Sequence, residues 1–398
     1  MSKVLEGTRV LDLSHYKAGP TCGQFLADMG AEVIRIEKPG GEEDRRLGPF
    51  AANGQSIYLA FTCRNKKGIT LNLQKDKGKD MLKKLVRQSD VVIENFGPVG
   101  NKKLGLDYES LKKIKSDIIV VAVSGYGQYG PYANRLGFDG IAQAIAGMMW
   151  VTGFPDKGEP VKAGVGFVDF ATGVYGALGT LLALHHREKT GKGQLVDVSL
   201  LDAAISFMEY IFGEYEVANY VHPQLGNAHP FIGPYDAYKA KDGYFFLGVI
   251  SNPMWRRLLK FMGREELADD PRFKTDLERG RLESHRFFAE WINNWASEKT
   301  VKEVVEQLNE ADIPCAPVNT IPEAASDPHI RAREMITELD HPGIGNIPLI
   351  GIPIKLSETP GEIKTPAPTV GQHNEELYSS LLGLDSEQLS QLEREGVI

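Results

Sequence analysis

The stretch RVLDLSHYKAGPTCGQFLADMGAEVIRIE, residues 9–37, decides the fold class. The apolar runs at its two ends, RVLDL and EVIRIE, have the length and composition typical of buried strands. Residues 21–29 between them have a helical pattern, with Pro20 near the first turn and Gly30 just after the last one, as is common at helix ends. We therefore predict a β–α–β unit in which the loop SHYKAGP follows the first strand.

The alternation of strands and helices continues through the first half of the chain. Apolar runs at residues 90–96, 117–125 and 194–200 predict further strands, and residues 76–88 and 172–186 predict helices between them. Strands that alternate with helices form a mostly parallel sheet with helices on both faces. The prediction is an α/β fold with a Rossmann-like parallel sheet.

The pattern changes in the second half. One helix is predicted over residues 202–219, and Asp242-Gly243 is a turn sequence typical of a β-hairpin. Residues 252–311 are helical and amphipathic, and Thr300 with Glu303 has the spacing of a capping box. This region predicts a smaller α+β domain. The tail beyond it combines prolines with short strands and ends in the helix EELYSSLLGL.

The length of the chain predicts more than one domain. At 398 residues and 43.9 kDa it exceeds what one hydrophobic core usually supports. We predict that residues 1–220 form the N-terminal part of a large domain and that residues 225–325 form the small one. Residues 326–398 then return to the large domain.

Composition and charge bear on function. A net charge of −8 and a pI near 5.7 argue against nucleic-acid binding, which usually needs a basic face. Cys22, Cys63 and Cys315 have no paired spacing and the histidines have no metal-ligand spacing, so we predict neither disulfides nor a metal site. The N-terminus has no apolar signal segment. These features predict a cytoplasmic protein that binds no nucleic acid.

Residues 164–182, GVGFVDFATGVYGALGTLL, are small or apolar except for Asp169. They are the only candidate for a membrane span, but Asp169 and its neighbouring glycines favour a buried helix over a membrane helix. A charge in such surroundings costs several kcal/mol unless it is paired or protonated. Two roles remain open for Asp169: a helix N-cap, or a poorly hydrated carboxylate that acts as a nucleophile.

Residues 125–130, GYGQYG, match the G-x-G-x-x-G pattern directly after a predicted strand. A dinucleotide site needs the third glycine to begin a helix, so that the phosphates meet the helix N-terminus. Here Pro131 and the loop-like sequence YANRLGFDG follow, and no acidic residue lies about 20 residues on in a next strand. The pattern favours a glycine-rich active-site loop over a nicotinamide dinucleotide site.

Several short motifs together resemble the family III CoA-transferases, the group that contains formyl-CoA transferase and the carnitine and bile-acid CoA-transferases. The motifs occur in the family's order from about residue 5 to the C-terminus. Each alone is weak, and their ordered set is highly specific. They are Leu11-Asp12 through Ala18-Gly19-Pro20, Gly30 to Glu37, Glu94 to Pro98, Ser124 to Gly127, Gly137-Phe138-Asp139, Asp169 with its helix, Lys189 to Gln194, Gly226-Asn227 and Ile313 to Val318.

The resemblance implies a mechanism in which Asp169 is the nucleophile. Its carboxylate attacks the thioester of a donor acyl-CoA, and a mixed anhydride and then an aspartyl-CoA thioester follow. A small carboxylic acid finally accepts the CoA. The resemblance implies no tightly bound cofactor, because CoA and acyl-CoA are substrates. It also implies a homodimer of two interlocked rings.

The resemblance also assigns binding residues. It places CoA against ten positions: Tyr16, Ala18, Lys38, Leu71, Asn72, Leu73, Gln74, Asn95, Phe96 and Lys103. It places the acyl group or the acid near Lys17, Phe138, Asp139, Gly226, Asn227 and His229, and the last three positions correspond to a mobile loop over the active site. Lys17 is expected to contact a carboxylate of the acid, and the alternative is a lysine turned to solvent.

Departures from the family pattern limit the substrate and leave two other functions open. Lys17 replaces the glutamine of the oxalate-using branch, the four-glycine lid loop is absent, and Asn72 and Gln74 replace an Asp and a Lys of the CoA-binding stretch. These differences argue against formate or oxalate as substrates. A same-fold α-methylacyl-CoA racemase would carry His at Phe138, and a non-catalytic CoA-binding protein would have no need of Asp169.

Overall fold

The computed structural model describes residues 3–398. Its strands are β1 Arg9–Asp12, β2 Glu32–Glu37, β3 Lys66–Thr70, β4 Val91–Glu94, β5 Ile119–Ser124, β6 Leu195–Ser199, β7 Tyr235–Lys239, β8 Tyr244–Gly248, β9 Cys315–Pro317, β10 Ile336–His341 and β11 Gly345–Ile350.

The helices up to residue 218 are α1 Ala18–Asp28, α2 Ile57–Thr62, α3 Asp76–Arg87, α4 Gly97–Leu104, α5 Tyr108–Ile114, α6 Asp139–Ile145, α7 Met148–Val151, α8 Phe167–Thr190, α9 Leu200–Ser206 and α10 Tyr210–Ala218. The later helices are α11 Asn252–Met262, α12 Asp276–Arg279, α13 Leu282–Ala296, α14 Val301–Glu310, α15 Ile321–Ser326, α16 Pro328–Ala332, α17 Asn374–Leu382 and α18 Ser386–Arg394.

The chain divides into two units. The larger contains residues 3–146, 163–209 and 328–398, and the smaller contains residues 147–162 and 210–327. The larger unit is thus made of three separated segments, and the third is the returning tail. Residues 147–162 and 210–220 lie in the smaller unit, although the sequence prediction places them in the large domain.

A six-stranded parallel sheet forms the centre of the larger unit. Its strand order is β3-β2-β1-β4-β5-β6, and every neighbouring pair is parallel. The order reverses between β1 and β4, and in open α/β sheets ligands bind beside the carboxyl ends of the strands at such a point. The predicted Rossmann-like parallel sheet is confirmed.

The sheet core is apolar apart from a few buried ion pairs. Leu11, Ile34 and Val92 on three neighbouring strands are fully buried. Lys66 at the start of β3 is buried as well, and its Nζ lies 2.7 Å from Asp12 Oδ2. The same ammonium donates to Pro20 O at 2.7 Å, which connects β3 to the first turn of α1. A buried ion pair thus lies in the core next to the loop that follows β1, where an apolar side chain would be usual.

Helix α8 packs on α1 through small residues. A Cβ on Gly173 would lie 2.7 Å from Ala18 O and 2.7 Å from Thr21 Cβ, so only glycine permits this approach. The opposite side of α8 is apolar and exposed: its large side chains there are Phe170, Val174, Tyr175, Leu178, Leu181 and Leu182, with 37–61% of each exposed. We call these six residues the α8 apolar face. The burial predicted for this helix is found on one side only.

In residues 3–398, α8 is the one helix long and apolar enough to cross a membrane by length and composition, with 39% of its most apolar window buried. It carries Asp169 in its first turn, and one side of it packs on α1. One side of α8 therefore packs inside the larger unit, and the prediction that this helix does not span a membrane stays a prediction.

The smaller unit has its own core. Strands β7, β8 and β9 form an antiparallel sheet, and Trp255, Phe288 and Leu308 from three helices are buried in the same cluster. The predicted hairpin at Asp242-Gly243 is confirmed as the connection between β7 and β8. The capping box of Thr300 and Glu303 is also present at the start of α14.

The single helix predicted over residues 202–219 is wrong. Helix α9 ends at Ser206 and α10 begins at Tyr210. Between them Glu209 has a φ of 38°, a left-handed conformation that does not continue a right-handed helix. The apolar periodicity continues across this break, which is why the sequence pattern does not reveal it.

Candidate active site

The loop after β1 crosses the point where the strand order reverses. The backbone N–H of His15 donates to Asn95 Oδ1 at 3.2 Å, and Asn95 Nδ2 donates to His15 O at 2.7 Å. Asn95 follows β4, so its side chain joins the loops of the two strands on either side of the reversal. The structure thus gives Asn95 a role in holding this loop, and its predicted contact with CoA stays a prediction.

Tyr16 in this loop has a left-handed backbone that its neighbours support. Its φ is 66°, and its N–H donates to Asp44 Oδ2 at 3.1 Å. Asp44 is fully buried and receives two hydrogen bonds from Arg35 Nη2, at 2.7 and 2.9 Å. This buried ion pair holds the backbone of Tyr16, and with it the loop after β1, in place. The sequence does not predict that Asp44 and Arg35 support Tyr16, because 28 positions separate Tyr16 from Asp44 and no local pattern connects them.

A cleft of 320 Å³ lies at the carboxyl ends of β1, β2, β3 and β4. Its lining includes six of the ten positions predicted to bind CoA: Lys38, Leu71, Asn72, Leu73, Gln74 and Phe96. These residues come from three different loops, so the fold brings together what the sequence separates by up to 58 positions. The cleft has apolar walls with polar groups at its edge, the usual character of a site for a small organic ligand.

The other four predicted CoA residues do not line this cleft. Lys103 lines a neighbouring groove of 400 Å³, and Leu104 lines both. Ala18 is buried at the start of α1, and Tyr16 is 39% exposed. Lys38 is ion-paired with Glu43 at 3.0 Å, so a phosphate contact by Lys38 would replace an existing partner.

Asp169 is the third residue of α8 and is partly buried. The N-cap is Gly166, which has no side chain, so the alternative of Asp169 as a helix cap is wrong. In the first turn a carboxylate faces the positive end of the helix dipole. The nucleophile hypothesis is the alternative that the geometry leaves open.

Two charged side chains approach Asp169 from other elements. Asp139 begins α6, and its Oδ2 accepts a hydrogen bond from the Asp169 backbone N–H at 3.1 Å. Lys17 Nζ donates to Gly166 O at 2.8 Å, one turn before Asp169. The alternative of a solvent-facing Lys17 is therefore wrong. A Cβ at position 166 would lie 2.9 Å from Lys17 Nζ, which is the far end of a flexible side chain and can shift.

The surroundings of Asp169 change its acidity. Its pKa is raised from 3.8 to about 6, mainly because burial disfavours the charged carboxylate and further because Asp139 is negative. The ammonium of Lys17 acts in the opposite direction. At neutral pH Asp169 is ionised and is more basic than an ordinary aspartate.

Tyr58 in α2 interacts electrostatically with Asp169, and the sequence does not predict this. Burial raises the pKa of its phenol, and the negative charge of Asp169 is the second cause. Because Tyr58 lies in a short helix without a recognisable motif, only the folded chain reveals this interaction. Its phenol stays protonated and is a hydrogen-bond donor.

The glycine pattern at residues 125–130 forms a wall beside the site. A Cβ on Gly125 would lie 2.8 Å from Gly137 Cα, so both glycines are needed where the two backbone segments cross. The Gln128 N–H donates to Asp197 Oδ2 at 3.0 Å, and the next helix, α6, begins only at Asp139. A dinucleotide site of the Rossmann type does not fit this geometry, as the sequence predicts.

The remaining predicted site residues have separate positions. Phe138 precedes α6, is 57% exposed, and its ring centroid lies 6.5 Å from that of Tyr16. Gly226, Asn227 and His229 lie in the smaller unit. Gly226 has a φ of 66°, and its missing Cβ would lie 2.8 Å from Phe154 Cδ1. A contact of these three residues with substrate stays a prediction.

Comparisons with known proteins identify the family. The sequence pattern of CoA-transferase family III matches residues 5–374. The chain belongs to the family III CoA-transferases. Enzymes of this family move CoA between an acyl-CoA and a carboxylic acid, so the predicted enzyme class is confirmed and a non-catalytic CoA-binding protein is set aside.

Named relatives cover almost the whole chain. Succinyl-CoA–D-citramalate CoA-transferase of Chloroflexus aurantiacus is 37% identical over 396 residues, 99% of this chain and 98% of that protein. Formyl-CoA:oxalate CoA-transferase of Streptomyces coelicolor is 36% identical over 413 residues, with all of both chains covered. A CaiB/BaiF family protein of Brucella suis has a similar structure, with a TM-score of 0.84, 33% identity and coverage of 96% of this chain and 100% of that one.

Proposed function

We propose that this family III CoA-transferase moves CoA to a small carboxylic acid through covalent intermediates on Asp169. The observation that carries the proposal is the position of this carboxylate. It is partly buried in the first turn of α8, and Lys17 is hydrogen-bonded one turn before it. Asp169 is ionised at neutral pH, because its raised pKa of about 6 is still below 7.

The proposed reaction has four acyl transfers. The Asp169 carboxylate attacks the thioester carbon of the donor, the C–S bond breaks, and a mixed anhydride and CoA thiolate form. The thiolate attacks the aspartyl carbon, which releases the donor acid and leaves an aspartyl-CoA thioester. The acceptor carboxylate then displaces CoA thiolate to form a second anhydride. Attack of the thiolate on the acceptor's acyl carbon gives the new acyl-CoA and restores Asp169.

The site suits these intermediates. Restricted access of water slows hydrolysis of an anhydride, and partial burial of Asp169 supports this. The proposal needs no metal and no tightly bound cofactor. Phe138 offers no group that could carry a proton, so a racemase reaction has no support in this site.

We propose acids with a second carboxylate as acceptors. A lysine ammonium has three donors, and the described contact with Gly166 O uses one of them. The others can form a charge-assisted hydrogen bond with a substrate carboxylate. Similar proteins are named for citramalate, malate and glutarate, each with succinyl-CoA or succinate. Succinyl-CoA is therefore the first donor to test.

We also propose a cytoplasmic homodimer in which two rings interlock. The α8 apolar face supports a protein partner, because six large apolar side chains on one helix are each 37–61% exposed and together form an apolar patch. The free thiols of Cys22, Cys63 and Cys315 are consistent with a reducing compartment.

An isotope experiment tests the covalent route. The protein is incubated with succinyl-CoA and glutarate labelled with ¹⁸O in its carboxylates, and the peptide of residues 161–187 is then analysed by mass spectrometry. The bridging oxygen of the second anhydride comes from the acceptor and stays on Asp169 when the thiolate attacks the acyl carbon. We therefore expect ¹⁸O in Asp169 after turnover, and repeated turnover adds more.

Asp169→Ala is the companion variant. It should fold and bind CoA like the wild type but form no glutaryl-CoA, because only the nucleophile is removed. Turnover by the wild type without label in the peptide would mean direct exchange between substrates and would contradict the proposal.

A further inference from the structure

The carboxylate of Asp139 has an unusual set of partners for a buried charge. It is 8% exposed, and both of its described hydrogen bonds come from neutral donors: the Asp169 N–H at 3.1 Å and Gln143 Nε2 at 2.5 Å. Buried carboxylates are usually paired with a cation, because desolvation is otherwise costly. The charge on α8 that interacts with Asp139 is instead another carboxylate, that of Asp169. Lys17 Nζ is in the same region but donates to Gly166 O, and a Cβ on Gly166 would lie 2.9 Å from Lys17 Nζ and 3.6 Å from Asp139 Oδ2.

The hydrogen bonds of Asp139 continue into a short chain. Gln143, one turn later in α6, accepts the Ala163 N–H on its Oε1 at 3.1 Å. Asp139 and Gln143 therefore hold both ends of residues 163–169, the segment that leads into α8. Because Gln143 donates to Asp139 and accepts from Ala163, the direction of each bond in the chain is fixed. This segment contains Gly166, whose carbonyl binds Lys17.

We propose that Asp139 is a positioning residue for the transfer reaction: it holds the first turn of α8 through the Asp169 backbone and places a like charge beside the attacking carboxylate. This inference rests on the proposed role of Asp169 as nucleophile. The like charge has a direct consequence for the reaction. The anhydride and the aspartyl thioester are both uncharged at Asp169, so the repulsion by Asp139 is relieved when either one forms.

Three groups from other elements interact electrostatically with Asp169. They are Lys17 from the loop before α1, Tyr58 from α2 and Asp139 from α6. Lys17 stabilises the ionised carboxylate, whereas Asp139 destabilises it. Removal of the Asp139 charge should therefore make Asp169 a weaker base and a weaker nucleophile, and its protonation should move to lower pH.

Two variants separate the charge of Asp139 from its hydrogen bonds. Asp139→Asn keeps an oxygen for the Asp169 N–H but turns its new amide group toward the amide of Gln143, so two donors meet. The double variant, Asp139→Asn with Gln143→Glu, removes this conflict, because a carboxylate at position 143 can accept from both the new amide at position 139 and the Ala163 N–H. In the double variant the hydrogen-bond chain is restored and the charge lies one helical turn farther from Asp169.

The first measurement does not depend on catalysis. Asp169 is titrated by infrared difference spectroscopy of protein labelled with 4-¹³C-aspartate, with Asp169→Asn as the reference that lacks this band. We expect Asp169 to protonate at lower pH in both variants than in the wild type, by about one pH unit for the loss of one adjacent charge. An unchanged titration in the folded double variant would overturn the proposal.

The second measurement is the pH profile of kcat/KM with succinyl-CoA and glutarate. The acid limb should move to lower pH in the double variant, and the plateau should fall about tenfold because the nucleophile is less basic. The matched control is Asp107→Asn, which changes a carboxylate that caps α5 by accepting the Ser110 N–H. This control should leave the limb unchanged. A wild-type plateau in the double variant would overturn the role of Asp139 even if the ¹⁸O result supports Asp169.

Discussion

Burial of the Asp169 carboxylate lowers the stability of the fold at neutral pH. Its pKa in the folded protein is about 6, against 3.8 ordinarily, so the folded chain holds a proton more tightly than the unfolded chain does. The fold is therefore stabilised by protonation, and this contribution is lost as pH rises through the interval between the two values. Above that interval the ionised carboxylate destabilises the protein.

A stability measurement follows from this. Asp169→Asn should raise the free energy of unfolding at pH 7.5 by about 1–2 kcal/mol, after allowance for solvent at the partly exposed side chain. The gain should shrink as pH falls toward 4, because the wild-type carboxylate is then protonated too. Thermal melting of both proteins between pH 4.5 and 8 checks this. A gain that is independent of pH would show that packing, not charge, is its cause.

Lys17 is the second residue with a testable role. Lys17→Gln should raise KM for glutarate about tenfold by the loss of a charge-assisted hydrogen bond, with the Kd for CoA unchanged. Since the ammonium lowers the pKa of Asp169, its loss should also move the acid limb of kcat/KM to higher pH, opposite to the shift expected for Asp139→Asn.

Lys17→Arg is the matched control, because it keeps the positive charge. We expect its acid limb to stay at the wild-type pH even if KM changes with the shape of the guanidinium. Unchanged kinetics for the acid in Lys17→Gln would assign Lys17 only to the contact with Gly166.

The contact between α1 and α8 sets the relative positions of Lys17 and Asp169. Lys17 immediately precedes α1, and Asp169 lies in the first turn of α8, so the packing of these helices determines how close the two charges are. The contact depends on Gly173, where a Cβ would meet Ala18 O and Thr21 Cβ at 2.7 Å.

Gly173→Ala should therefore destabilise the protein by about 1–3 kcal/mol, because overpacking outweighs the better helix propensity of alanine. The control is Gly213→Ala in α10, where an added Cβ would have no neighbour within 4 Å among the described residues. There the gain in helix propensity, about 0.5–1 kcal/mol, should be seen alone. Denaturant unfolding of both variants tests the pair, and equal effects would contradict this account of the contact.

The sequence predicts the elements that follow a simple period. Strand β2 is found at the predicted residues 32–37, and α3 within one residue of its prediction, because apolar spacing alone specifies them. Strand β3 was missed, because it begins with Lys66 and Lys67. Burial of Lys66 becomes favourable only through Asp12, which is 54 residues away. A local pattern contains no information about such a partner.

The same distinction applies to the site. The family motifs identify the loops that line the cleft predicted to bind CoA, because each loop is a short continuous stretch. They do not reveal that Asp44, paired with Arg35, accepts the Tyr16 N–H. Nor do they reveal that Tyr58 interacts electrostatically with Asp169. These are contacts between elements, and they depend on how the helices pack on the sheet. For Asp139, the motif gives the residue and only the structure gives its bond to α8.

For the whole molecule, the question is what covers the α8 apolar face. Phe170, Leu178 and Leu182 are 46%, 49% and 61% exposed, although they belong to the helix that carries Asp169, the proposed nucleophile. Burial of such side chains against a partner would contribute roughly 25 cal/mol per Å². A second copy of the chain is the proposed partner. One side of α8 would then carry the proposed nucleophile, and the other side would form the dimer contact.

Interlocking makes a specific prediction about dilution. Two threaded rings cannot separate without partial unfolding, so dimers should persist in sedimentation or mass photometry from micromolar to nanomolar concentration, and Tm should hardly depend on concentration.

Leu182→Asp on the α8 apolar face should reduce the yield of folded dimer, whereas Leu277→Asp, at a side chain 58% exposed in α12, should not. Mixing two differently tagged dimers adds a kinetic test, because threaded subunits should exchange only as fast as they unfold. Rapid exchange, or a stable folded monomer at high dilution, would show that the subunits are not threaded.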